Sequence, residues 1–206
     1  MSSLISFIIP TTRPENKTLE SFFQIDVPEG YKLEFLFIID DPKKNVENLY
    51  GLSQKYQNFH IKIIRNERNL GASASRNIGI DNASGKFILF IDDDCIVSRD
   101  ILIEYIKAYR KNPDSPGYIG ITGTPEPYSS FEHAVELSDM LHFFKIAQLK
   151  REFYWGVTAN LFLKREAINK IRFPKNYPKK GGGEDINFCL KIIENYNKKH
   201  NHALNQ

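Results

Sequence analysis

The chain has 206 residues, 41% of them hydrophobic, which is enough apolar material for one packed domain and argues against disorder. Its net charge of +3 is too small to announce a nucleic-acid partner, and the basic pairs Lys43/Lys44, Lys179/Lys180 and Lys198/Lys199 are scattered rather than aligned in a stripe. The two cysteines, Cys95 and Cys189, share no metal or redox spacing, no apolar run reaches membrane-spanning length, and the N-terminal run is too short for a signal peptide. The expectation is a soluble, cytoplasmic protein.

Strand-like and helix-like segments alternate through the first half. Residues 4–9 read as an apolar strand closed by Pro10, and Pro14 starts a helix to about residue 24. A strand over 33–39 ends in Asp40, Asp41 and Pro42, a helix covers about 46–56, and a strand covers 61–64. Residues 72–83 form a helix closed by Ser84 and Gly85, where a left-handed cap favours glycine. The unbroken apolar run 87–91 reads as a strand buried on both faces, followed by a helix over about 99–110 and a strand over 118–122. This alternation predicts a mostly parallel sheet with helices on both faces.

The second half departs from the pattern. Residues 125–130 are a loop, and 131–150 contain an amphipathic helical stretch with Leu137, Leu141 and Phe144 in its stripe. Residues 153–163 read as strand, 165–170 as a short helix and 172–183 as a loop with two prolines, three lysines and a triple glycine. A last helix starts near Glu184 and buries Ile186, Cys189, Leu190 and Ile193.

The chemistry concentrates at Asp92, Asp93 and Asp94, directly after the buried strand. A single aspartate there would be a turn residue, but three in succession repel one another unless a cation or donors are present. In open α/β sheets the ligand crevice lies beyond the carboxyl ends of the strands, so Thr11, Arg13, Asp40, Asp41 and Asp92 to Asp94 are expected at one edge. Side-chain alternation along an extended backbone turns Asp92 and Asp94 the same way, suited to sharing Mg2+ or Mn2+, with Asp93 turned aside. The glycine fingerprints for dinucleotides and for Walker phosphates are absent, so a diphosphate here calls for a bridging metal.

Several ordered motifs then carry a resemblance: Phe7-Ile8-Ile9-Pro10-Thr11, Ile39-Asp40-Asp41, Asn69-Leu70-Gly71, Ala74-Ser75-Arg76-Asn77-Ile78-Gly79 and Gly85-Lys86 running through Asp94. Thr158-Ala159-Asn160-Leu161-Phe162-Leu163-Lys164-Arg165-Glu166 and Gly182-Gly183-Glu184-Asp185 follow. In order and spacing these resemble the GT-A glycosyltransferases of family 2. The resemblance implies an α/β, Rossmann-like GT-A fold over one domain, 1–206, with a nucleotide-sugar-binding half over 1–122 and a small mixed acceptor-side half over 123–206. It implies an inverting transferase that moves a monosaccharide from a nucleoside diphosphate sugar, a UDP-sugar, to a hydroxyl of a glycan, lipid-linked or protein acceptor.

By the same resemblance Asp41 is similar to the acid that hydrogen-bonds the base ring, and Thr11, Arg13, Arg76, Asp92 and Asp93 belong to the donor side. Asp92 and Asp94 look like the ends of a DxD motif, with Asp94 in contact with a divalent cation, Mn2+ or Mg2+. The Asp-Asp-Gly-Ser turn of the family is here Asp40-Asp41-Pro42-Lys43, a departure at the base contact. Glu184 and Asp185 resemble the family's ED pair, whose second acid is the general base; read alone, acids in a helix's first turn are as well explained by its dipole.

Four other residues remain to be placed. His133 and His142 lack a partner at metal-binding spacing and read as exposed helical histidines, and Cys95 as a small buried residue. Trp155 is either core packing or a stacking platform for an acceptor sugar. Alternatives to the enzyme are a non-catalytic nucleotide-sugar-binding module, or a sugar nucleotidyltransferase, for which Thr11-Thr12-Arg13-Pro14 lacks the expected glycine-rich loop. Relatives commonly continue into an acceptor arm, which leaves open a peripheral membrane or partner-chain association.

Overall fold

In the computed structural model, which describes residues 2–139, 141–150, 152–174 and 182–204 with the side chains of 145 and 198–204 left aside, one six-stranded sheet organises the chain. Its strands are β1 (Ser3–Thr11), β2 (Tyr31–Ile39), β3 (His60–Arg65), β4 (Phe87–Ile91), β5 (Gly117–Ile119) and β6 (Asn160–Lys164), in the order β3-β2-β1-β4-β6-β5. β1 to β4 run parallel, while β6 runs antiparallel to both of its neighbours. The chain steps outward from β1 to β3 and then crosses back to place β4 beside β1, so the strand order reverses between those two. That reversal is a topological switch point.

Period-two alternation splits the apolar runs between two cores. Phe7, Ile9, Phe35, Phe37, Leu89 and Ile91 face one side, where they meet α1 (Glu47–Lys55), α3 (Ile101–Lys111) and a 3-10 helix, Lys17–Gln24. Ile8, Leu36, Ile38, Ile88 and Phe90 face the other, under α2 (Ala72–Asn82), α6 (Arg165–Ile168) and α7 (Glu184–Leu204). α2 lies close on β1: a Cβ on Gly79 would stand 2.4 Å from the Ile8 side chain. Between β5 and β6 lie α4 (Ser130–Leu137), a 3-10 turn His142–Lys145 and α5 (Ile146–Leu149).

Four expected elements need correction, and three residue expectations with them: Leu137 and Leu190 are exposed, and Gly85 is not at positive φ. The first helix is a 3-10 helix that begins after a turn from Arg13 to Asn16 rather than at Pro14. Leu19, Phe22 and Ile25, three residues apart and all buried, line up on one ridge only at three residues per turn. The strand expected over 153–163 is confined to Asn160–Lys164, because Asn160 pairs with Ile91, the last residue of β4, and the preceding segment has no partner backbone there. The strand expected over 118–122 is Gly117–Ile119, and Thr122 instead donates to the Phe144 carbonyl. The helical stretch 131–150 is interrupted, with Asp139 at positive φ between α4 and the 3-10 turn. Of the expected loop 172–183, residues 175–181, with Lys179, Lys180 and Gly181, lie outside the described residues. Among those described, no helix is long and apolar enough to cross a membrane.

Candidate active site

β1 and β4 end side by side at the switch point, and their C-terminal residues are tied together through Asp93. Its carboxylate accepts a 2.5 Å hydrogen bond from Thr11 Oγ1 and an ion pair from the Arg13 guanidinium, while its carbonyl accepts from Asn16 Nδ2 at 3.1 Å and Thr18 Oγ1 at 2.7 Å. Asp93 is therefore a buried strut that holds the first loop against the end of β4. Asn16 and Thr18 were not singled out in the sequence, although an Asn directly ahead of a helix marks a cap, and Asn16 does accept from the Thr18 N–H.

The alternation expected along 92–94 does not hold, because β4 ends at Ile91 and the next residues turn. Asp92 and Asp94 are thus held by different groups. Arg13 Nη2 reaches from Asp93 to Asp94 Oδ2 at 3.1 Å, whereas Asp92 Oδ1 pairs with Arg76 Nη2 of α2 at 2.8 Å. Hydrogen bonds to Asp93 and then Asp94 raise the Arg13 guanidinium above its ordinary value, against a smaller opposing effect of burial. Asp94 is the most open of the three carboxylates, with 59% of its side chain exposed.

Arg76 also connects this cluster to the end of the chain. Its side chain is 6% exposed; Nη1 stands 3.4 Å from Glu184 Oε1, and the guanidinium lies over the Phe173 ring. Nε is buried and has no hydrogen-bond partner among the described residues. Next to it, Asn77 exchanges two hydrogen bonds with the Phe173 backbone, which holds Phe173 against α2. Glu184 and Asp185 open α7, and Asp185 Oδ1 accepts from the Ile186 N–H at 2.9 Å. Burial raises the Asp185 carboxyl above its usual value and Glu184 adds to this, outweighing the Ile186 amide and the charge of Arg76.

The two acids after β2 have separate tasks. Asp40 is buried and spent on the 66–71 loop: Oδ1 accepts from Asn66 Nδ2 at 2.8 Å and the Leu70 N–H at 2.7 Å, and Oδ2 from the Gly71 N–H at 2.8 Å. Gly71, at φ +87, supplies the left-handed backbone that aims this amide. Asp41 accepts from the nearby Lys43 N–H at 3.0 Å and stays half-buried at the same sheet edge.

The remaining candidates sort by environment. Burial, then the charges of Asp92 and Asp94, push the Cys95 thiol up to about 11, which keeps it protonated and unsuited to nucleophilic attack. His133 and His142 are exposed on the 130–145 segment. Trp155 is half-buried against the second core, with the Phe153 and Phe143 rings at 5.4 and 6.3 Å. Tyr154 beside it is 70% exposed.

Among the described residues, no three His, Cys, Asp or Glu side chains gather in a metal-holding group. A cation here would draw on one or two carboxylates and complete its shell with water or phosphate oxygens, the usual manner of Mg2+. The donor set fits, since hard oxygen ligands are present and Asp94 is open.

Comparison with known proteins adds the following. Residues 6–172 match the sequence pattern described as glycosyl transferase family 2. An uncharacterized glycosyltransferase of Methanocaldococcus jannaschii is 34% identical over 199 residues, which covers 93% of this chain and 65% of the relative. The poly(ribitol-phosphate) beta-N-acetylglucosaminyltransferase TarS of Staphylococcus aureus is 26% identical over 201 residues, 94% of this chain and 33% of TarS. Residues 1–349 of TarS in complex with UDP superpose with a TM-score of 0.63 at 20% identity, covering 93% of this chain and 55% of that one. The mannosyltransferase PcManGT of Pyrobaculum calidifontis, in complex with GDP-Man and Mn2+, superposes with a TM-score of 0.65 at 14% identity over 93% of this chain and 52% of its own. This chain spans at most 65% of the length of these relatives.

Proposed function

Because the chain belongs to glycosyl transferase family 2 and has the GT-A fold, we propose that it is an inverting glycosyltransferase that uses a nucleoside diphosphate sugar, a UDP-sugar, and glycosylates a hydroxyl of a glycan, lipid-linked or protein acceptor. The observation that carries this reading is the Arg76 bridge, which brings Asp92 at the switch point and Glu184 at the start of α7 to one crevice. Donor acids and a candidate base then flank the same space.

Asp41 reads the uracil ring through its N–H, and Thr11, Arg13 and Asp93 shape the floor under the diphosphate. Arg76 acts on the donor side through Asp92. A divalent cation held by Asp94, with Asp92 nearby, would offset the charge that develops on the departing diphosphate. Asp185 takes the acceptor hydroxyl's proton as that oxygen attacks the anomeric carbon, and a single in-line displacement inverts the configuration. The half-buried Trp155 offers a ring face to the acceptor sugar. Similarity to TarS, solved with UDP, supports uridine, and the GDP-Man complex of PcManGT makes guanosine its competitor.

The test is incubation with Mn2+ or Mg2+, UDP- and GDP-sugars and hydroxyl acceptors, followed by assay of released nucleoside diphosphate and NMR of the product anomer. Acceptor-dependent UDP release with an inverted anomer is expected. Donor binding without release would favour the non-catalytic binding module, and a retained anomer would overturn the single displacement.

A further inference from the structure

Arg13 makes a second contact that a place on the floor of the site does not explain. Its guanidinium is anchored on Asp93, which is buried and also held by Thr11, and from that anchor Nη2 extends a second contact to Asp94 at 3.1 Å. Release of Arg13 would leave the buried Asp93 carboxylate with Thr11 alone as its side-chain donor. Asp94 can release Arg13, because its side chain is 59% exposed and the strut does not depend on it. One cation therefore grips two carboxylates with unequal firmness, and the looser one is the carboxylate assigned to the metal.

We propose that Arg13 is a positioning residue that serves as the resident counter-ion of Asp94 and must yield it when a divalent cation binds. This rests on the reading of Asp94 as the metal carboxylate. Two like-charged groups cannot both lie against the exposed Asp94 without repulsion, so metal entry and the Arg13–Asp94 contact exclude each other. Once displaced, the Nη2 group stays tethered through Asp93 at the floor of the crevice, where a diphosphate is the complementary anion. Metal and nucleotide then assist each other, because each lowers the cost of moving Arg13 for the other, and such coupling is reciprocal.

The expected result is unusual in sign: removing a positive side chain from the site should tighten metal binding. A half-exposed ion pair of this type is worth about 0.2–1 kcal/mol, so Arg13→Gln should raise affinity for Mn2+ alone by roughly 1.5- to 5-fold, measured by electron paramagnetic resonance of free Mn2+ without nucleotide. Affinity for UDP at saturating Mn2+ should fall in the same variant. Arg13→Lys, which keeps the charge, should leave Mn2+ affinity near that of the wild type. Should Arg13→Gln lose its fold, the wild-type protein still decides the matter: on titration with diamagnetic Mg2+, the Arg13 side-chain NMR signal, assigned by its loss in Arg13→Lys, should move. Unchanged or weaker Mn2+ binding by a folded Arg13→Gln, or an Arg13 signal indifferent to Mg2+, would overturn the proposal. Asp94→Asn separates this from the underlying reading. If that variant binds Mn2+ as well as the wild type, the metal assignment itself fails; if it binds worse while Arg13→Gln does not tighten binding, only the counter-ion role fails.

Discussion

At the scale of single residues, the site divides acids that are consumed by the fold from acids that are left for a ligand. Asp40 and Asp93 are buried and saturated by donors of this chain, whereas Asp41 and Asp94 are more open. The division assigns Asp41→Ala a binding defect: UDP affinity measured by calorimetry at saturating Mn2+ should drop about 10-fold or more, in line with loss of a hydrogen bond to a charged group. Preference for GDP in a competition series would reverse the uridine assignment. Asp185 calls for the opposite pattern. Asp185→Asn keeps size and much of the hydrogen bonding, so donor affinity should change little while turnover falls by roughly 100- to 10,000-fold. Because burial first and Glu184 second raise the Asp185 carboxyl, the proposed base is protonated over a wider acid range than an ordinary aspartate. The acid limb of the rate profile should accordingly lie above the ordinary aspartate value of about 3.9. Near-normal turnover of Asp185→Asn would send the search for the base to Glu184.

At the scale of elements, the parallel half was legible because its signals are local. Apolar runs bounded by Pro, Asp or Gly marked β1, β2 and β4 within one or two residues, and the helix expected over 72–83 is α2, one residue shorter. Other elements were less legible because they are set by contacts distant in sequence: β6 is only as long as β4 allows, and the 3-10 geometry of Lys17–Gln24 goes with the ridge it presents to the sheet. One readable signal was passed over, the capping box of Ser129 and Glu132 that starts α4. Glu34 could not be anticipated. It stands in the apolar run of β2 with no exposed side-chain surface, and accepts from Ser6 Oγ and the Ser84 N–H, both at 2.5 Å, with Lys62 Nζ at 3.2 Å and His60 Nδ1 at 3.6 Å from its other oxygen. These partners come from β1, β3 and the link between α2 and β4. Burial alone would raise its carboxyl, but the bonds from Ser6, Ser84 and Lys62 together hold it below the usual glutamate value. A carboxyl lowered by folding stabilises the protein fully above its unfolded value, about 4.3, and loses that contribution as the pH falls through the lowered folded value. Denaturant unfolding between pH 3 and 7 should show the acid loss of stability reduced in Glu34→Gln, which should be less stable than the wild type at pH 7 by about 1–3 kcal/mol. An identical acid profile in the two proteins would rule out Glu34 as the titrating group.

At the scale of the whole molecule, alternation of strands and helices was enough to foresee a three-layer parallel sheet, but not the strand order that sets β1 against β4, since pairing across the sheet leaves no mark on one sequence. For the same reason the motifs placed Arg76 on a helix and Glu184 at a later helix start without revealing that they touch. The contact makes Arg76 the tie between the end of β4 and α7, with 6% of its side chain exposed against 36% for Asp92 and 18% for Glu184. A largely buried ion group of this kind is weak evidence of net stabilisation, yet removal of one partner leaves charge uncompensated and costs about 3–5 kcal/mol when burial is complete. Asp92 is partly solvated, so Arg76→Leu should cost somewhat less, about 2–4 kcal/mol, measured as the change in unfolding free energy in urea. Most of the penalty belongs to Glu184, the more buried acid, and Arg76→Leu combined with Glu184→Leu should recover part of it, a coupling of about 1–3 kcal/mol in a double-mutant cycle. The corresponding cycle with Asp92→Asn should give a smaller coupling. Additive losses in the Glu184 cycle would mean that Arg76 stabilises each half separately and that the crevice is not drawn together through it.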